Sequence, residues 1–227
     1  MSVATIPLNP TEPPEQRLVL RSVGWETYVA TSNALGERRG LRLIYVDGRL
    51  IFLTKSRRHE WYSDRLAELF KAVATGCGVA WESAGETTFR REDSDAGIEG
   101  DETFYVGENA DRMRGPQNVD LNVDPAPDLA IEVEVTHPAD DAMTTYGRLG
   151  VREVWRFDAG TTSLGFWLRR DDGAYESAAR SAILPVLEPA DVVEQLRLAG
   201  ELGASRWFAQ LDAWVRDVLM PRQGKAT

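Results

Sequence analysis

The alternation of apolar and polar positions is sharpest in "PDLAIEVEVTH", residues Pro127 to His137. Successive side chains of a strand point to opposite faces. Ile131, Val133 and Val135 then share one face, and Asp128, Glu132 and Glu134 share the other. Two further β-rich runs, "LRLIY" and "RLIFLTK", are split by Asp47-Gly48, a strong hairpin signal. In "HEWYSDRLAELFKAVATG" the period becomes helical: Tyr62, Leu66, Leu69, Phe70 and Val73 fall on one face, and Gly76 suits the stop. His59 lies on that apolar face and Glu60 points away from it. "GWETYVATSNALGERRG" predicts a shorter helix ending near a glycine.

Downstream, "VAWESAGETTFRRE" predicts one or two strands, and "DSDAGIEGDETFYVG" runs from a loop into the strand-like "ETFYV". Asn109 to Pro127 carries few regular signals. A helix over about Ala139 to Leu149 links the acidic strand to "VREVWRFD" and "TSLGFWLRR". Strand, helix, strand is the pattern of a crossover unit. The last long segment predicts two helices, in which Trp207, Leu211, Trp214, Val215 and Val218 make a stripe suited to a core or a dimer seam. The fold class is α/β, a mixed β-sheet flanked by helices that include C-terminal ones.

Composition narrows the picture. At 227 residues, 43% of them hydrophobic, the chain suits one domain with a real core. No run approaches the ~18 apolar residues of a membrane helix. "MSVATIPLNPTEPPEQ" lacks a basic region and an apolar region, so a loose arm is expected there rather than a secretory signal. Cys77 is the single cysteine and reads as structural; it agrees with a reducing, cytoplasmic setting. The net charge of −10 argues against a broad nucleic-acid surface. Local basic clusters in "ERRGLR", "KSRRHE" and "FRRE" leave room for a smaller one.

The acidic strand raises the chemical question. Carboxylates on one face of an apolar strand need a compensating cation. Solvent, arginines or a divalent metal would answer that need, and hard cations take carboxylate oxygens. Asp101, at the start of "DETFYV" and about thirty residues before Glu132, supplies a second acidic position.

The segments "VGWETY", "RLIYVDGRLIFLT", "HEWYSDRL", "GDETFYV", "APDLAIEVEVTH", "YGRLGVREVWRFD" and "ILPVLEPADVVEQL" together resemble the bacterial Uma2 family. The resemblance spans about residues 18 to 216 and implies a restriction-endonuclease-like fold of the PD-(D/E)XK type. It implies an arm over 1–17, a nuclease-fold domain over 18–187, a helical extension over 188–220 and a tail over 221–227. The implied activity is metal-dependent endonuclease cleavage of nucleic acid. Asp101 and Glu132 would hold Mg²⁺ or Mn²⁺, Glu60 would reach the site from its helix, and Glu134 would orient water or a second ion. Arg57 and Arg58 would meet phosphate, and a homodimer is expected.

Three positions depart from the family pattern. Gly100 precedes Asp101 where many relatives have proline, Ile51 replaces a glutamate in the hairpin, and Ala142 stands where many carry a basic residue. Without that base, a non-cleaving binding protein is the alternative expectation. A purely structural role, with the acids paired to Arg152 or Arg156, is the third.

Overall fold

Asp47 and Gly48 both take positive φ, 52° and 65°, as a two-residue hairpin turn requires. In the computed structural model, which describes residues 15–36, 40–115 and 118–223, they join β2 (Leu41–Val46) to β3 (Arg49–Thr54), with Val46 opposite Arg49. β1 (Arg17–Leu20) pairs with the other side of β3, and β6 (Ala96–Glu99) bridges β2 to β5 (Thr88–Arg91). The result is a five-stranded antiparallel sheet. Residues 1–14 of the expected arm, 37–39 of the "ERRGLR" cluster and 224–227 of the tail lie outside the described residues.

The mixed sheet is the second one. It runs β11 (Tyr175–Ala178), β10 (Ser163–Arg169), β9 (Glu153–Asp158), β8 (Leu129–Glu134), β7 (Glu102–Val106), β4 (Trp81–Ser83). Only β8 and β9 are parallel; the short α3 (Glu108–Arg112) follows β7, and α4 (Asp140–Leu149) supplies the β8–β9 crossover. The separate antiparallel sheet was not expected from the pattern, nor was β6, which lies in a stretch expected to be loop. β6 is four residues long and contains Gly97, so it shows no period; a Cβ there would lie 2.1 Å from the Tyr28 hydroxyl. Gly100 and Asp101 carry the chain from β6 in one sheet to β7 in the other.

α2 (Arg57–Gly76) is capped by Ser56, whose side chain accepts from the His59 amide. Its stripe of Tyr62, Leu66, Leu69, Phe70 and Val73 packs on Leu129, Ile131 and Val133, the apolar face of β8. α5 (Pro189–Leu202) and α6 (Ala204–Trp214) add Val192, Leu196, Trp207 and Leu211 to this core, and half-buried Cys77 packs against it. Each such Leu contributes about 1.5–3 kcal/mol by leaving water. Of the C-terminal stripe, Val218 stays exposed. A second core joins Ala130 and Val154 of the mixed sheet, Ala142, Tyr146 and Leu149 of α4, and Ile44, Ile51 and Ile98 of the antiparallel sheet. α1 (Trp25–Leu35) covers the far face of that sheet, with Tyr28 stacked on Tyr45. Among the described residues no helix is long and apolar enough to cross a membrane.

Candidate functional site

The three acids of the β8 face have different partners. Asp128 accepts from the Val106 amide at 2.8 Å and from Asn109, and pairs with exposed Arg152. It fastens the end of β7 to the start of β8. Glu134 pairs with Arg156 and accepts from the Ala139 amide at 2.6 Å, at the entry of α4, where Ala139 has no side-chain cap of its own. Glu132 faces inward to the joint between the sheets.

There it meets Arg42 of β2. Arg42 grips both oxygens of Glu132, with Nη2 to Oε1 at 2.6 Å and Nη1 to Oε2 at 2.8 Å. Its Nη1 also lies 3.2 Å from Asp101 Oδ1, and its Nε donates to the Glu99 carbonyl at 2.6 Å. The Tyr146 hydroxyl of α4 donates to Glu132 Oε1 at 2.6 Å. Asp101 Oδ2 receives the Val133 amide at 3.2 Å and sits 3.0 Å from His59 Nε2. Lys55 Nζ lies 3.4 Å from Asp101 Oδ1 and 2.9 Å from Glu86. Asp101 is 0% exposed and Glu132 1%.

Burial opposes the charge on Asp101, but Arg42, His59 and Lys55 together hold its carboxyl well below the usual carboxylate range. Burial pushes Glu132 up, with Asp101 adding to the rise and Arg42 and Tyr146 opposing it. Burial lowers and Asp101 raises His59, and the carboxylate prevails. Arg42 and Lys55 are likewise desolvated, yet their acidic neighbours hold both above their ordinary values. The cluster is thus a low-dielectric network in which two carboxylates face two permanent cations.

The sequence expectation brought four acids to this site. The structure brings Asp101 and Glu132 together through Arg42. Glu134 is occupied at the α4 entry, and Glu60 is 50% exposed in its side chain, 3.9 Å from both Lys55 Nζ and His59 Nδ1. Arg58 donates to the Ala159 carbonyl and lies over the Tyr62 ring, while Arg57 is exposed. Ile51 and Ala142, two of the family departures, line one cavity of about 40 Å³ with Arg42, Lys55, His59 and Glu132. That volume has room for a water, and His59 Nδ1 is buried without a hydrogen-bond partner. The third departure also has a local reason: a Cβ on Gly100 would lie 2.6 Å from Thr103 Cγ2 and 3.1 Å from the Tyr146 hydroxyl.

A hard divalent ion needs carboxylate lone pairs. Both Glu132 oxygens are taken by Arg42 and Tyr146, and Asp101 Oδ2 by Val133 and His59; Asp101 Oδ1 alone accepts no hydrogen bond. An ion there would also sit beside Arg42 and Lys55. Among the described residues no group of three or more His, Cys, Asp or Glu is placed to hold a metal. The residues as arranged do not fit Mg²⁺ or Mn²⁺.

Arg42 and Tyr146 are the residues that sequence reasoning missed. Arg42 closes the "ERRGLR" cluster, which the sequence offers only as a local basic patch. A signal was present: alternation places it on the same β2 face as Ile44 and Val46, an arginine in line with apolar positions. A basic residue on an inward strand face calls for a buried acid, as Glu132 calls for a base.

A comparison with curated protein sequences finds no match. A crystal structure from Anabaena variabilis ATCC 29413, described as a "putative nuclease belonging to DUF820", matches with TM-score 0.51 at 13% identity, over 68% of this chain and 90% of that one. At that identity the likeness speaks for the fold. The Uma2 family model, described as "Putative restriction endonuclease", matches residues 25–201. With that match over most of its length, the chain belongs to the Uma2 family.

Proposed function

We propose that this protein keeps the nuclease fold but acts by binding rather than cutting, its carboxylate pair closed by Arg42. The observation that carries this reading is the two-pronged bond of Arg42 to Glu132, at 2.6 and 2.8 Å, with Asp101 3.2 Å away. A guanidinium in this place supplies the charge that a metal would otherwise supply, but it does not lower the pKa of a water as a metal ion does. Glu60 and Glu86 flank Lys55 with exposed carboxylates, and these repel a phosphodiester approaching from that side. Ala142 adds no cation in the cavity.

The family suggests a second reading, a metal-dependent endonuclease that hydrolyses phosphodiesters with Mg²⁺ or Mn²⁺. One observation favours it: Lys55 stands 3.4 Å from the open oxygen of Asp101. That reading requires Arg42 to release Glu132.

Two assays on the purified protein separate them. Calorimetric titration with Mn²⁺ should show no saturable binding, and plasmid and single-stranded oligonucleotide should survive incubation with Mg²⁺ or Mn²⁺. Cleavage that disappears in both Asp101→Asn and Glu132→Gln would overturn the binding reading and make the protein an endonuclease.

A further inference from the structure

A second concavity, sharing no lining residue with the one at the carboxylate pair, lies between α4 and the β10–β11 hairpin and has a volume of about 510 Å³. Its lining includes Arg148, Arg156, Trp167, Arg169, Asp172 and Tyr175. Three arginines and one aspartate line it, and most of that charge is already balanced by neighbours. Arg148 is engaged by Asp47, Arg156 by Glu134 and Asp140, and Asp172 by Arg170. Arg169 differs. Its Nε donates to the Gly147 carbonyl at 2.7 Å, and among the described residues it has no carboxylate partner. One edge of the guanidinium is thereby fixed and its terminal nitrogens are left for a ligand.

The walls are held in place. A Cβ on Gly147 would lie 2.1 Å from the Gly173 carbonyl oxygen, so helix and hairpin turn touch backbone to backbone. The Tyr175 hydroxyl donates to the Val151 carbonyl at 2.7 Å. Trp167 is half-buried, and no hydrogen bond occupies its indole nitrogen among the described residues. A volume of this order suits a nucleotide-sized group.

We infer that this groove binds a single nucleic-acid strand, a phosphate meeting Arg169 and a base stacking on Trp167. Planar guanidinium recognises phosphate through paired N–H groups. An aromatic face beside a backbone-tracking cation is how single strands are held without sequence readout. The inference rests on the binding reading above but on different residues. Loss of strand binding would leave the Arg42 closure standing, while cleavage at Asp101 and Glu132 would leave the groove standing.

The test is fluorescence anisotropy of a labelled oligothymidylate with the full chain, competed with thymidine monophosphate. Arg169→Gln should weaken strand binding about tenfold or more, and Trp167→Leu about fivefold, in line with the worth of a single stacked base. Circular dichroism checks that both stay folded; Trp167→Leu leaves the Arg169–Gly147 bond intact and covers the case in which Arg169→Gln does not fold. Binding should weaken as salt rises. No binding by the wild type, or equal binding by wild type and both variants, overturns the inference. Thymidine monophosphate binding as tightly as the strand would also overturn it, in favour of a free-nucleotide site.

Discussion

Arg42 and Glu132 lie ninety residues apart in sequence and share two short hydrogen bonds in the interior. Removing one partner of such a pair strands the other charge in a dry setting, which costs about 3–5 kcal/mol. Arg42→Met should therefore lower stability by about that much in urea unfolding. Adding Glu132→Leu to it should restore part of the loss, because the stranded carboxylate is gone; a double variant no more stable than the single would count against the pairing. Glu102, at the start of β7, offers a pH test. Burial, reinforced by Glu86 and Asp101 and opposed by Lys71 and Lys55, pushes its carboxyl up to about 7. A folded-state pKa above the unfolded one means stability present at low pH and lost as pH rises toward 7. Glu102→Gln should thus match the wild type near pH 4 and exceed it at pH 8, by about 1–2 kcal/mol after solvent screening. An identical gain at both pH values would rule out this titration. At this scale the sequence was half legible. Asp101 and Glu132 stand out in one dimension, since a carboxylate in an apolar strand breaks an expected pattern. Their cation stands out less: Arg42 shares the inward face of β2 with Ile44 and Val46, but the acid it meets lies ninety residues away.

Elements with a strong period were legible, and those defined by contact were not. β2, β3 and their turn follow from two β-rich runs split by Asp47-Gly48, both of which take positive φ; α2 follows from its apolar stripe. β6 has no period to read and exists because β2 and β5 offer it hydrogen bonds on both sides. The crossover helix α4 shows how a close approach constrains sequence. Glycine inside a helix ordinarily costs about 1 kcal/mol relative to alanine. At Gly147 the sign should reverse, because the added Cβ would meet the Gly173 carbonyl, and backbone cannot swing aside as a side chain can. Gly147→Ala is expected to lose about 2 kcal/mol, seen as a Tm lower by several degrees. An unchanged or raised Tm would mean that α4 and the hairpin do not touch there.

Seen whole, the molecule is two sheets that meet where the chain passes from one to the other at Gly100-Asp101. The mixed sheet, with its α4 crossover, could be read in advance as strand, helix, strand; the partner sheet could be read only in its β2–β3 hairpin, because the β1–β3 and β2–β6 pairings span tens of residues. That second sheet brings Arg42 to the carboxylates. It converts an acidic strand face, which suggested a metal centre, into an internally neutralised network. On this reading the Arg42 guanidinium occupies the place of a divalent ion. Anomalous diffraction from crystals grown in millimolar manganese would test it most directly. Arg42 should be seated on both oxygens of Glu132, with no manganese peak between Asp101 and Glu132. A manganese ion bound by those two carboxylates, with Arg42 swung away, would contradict it.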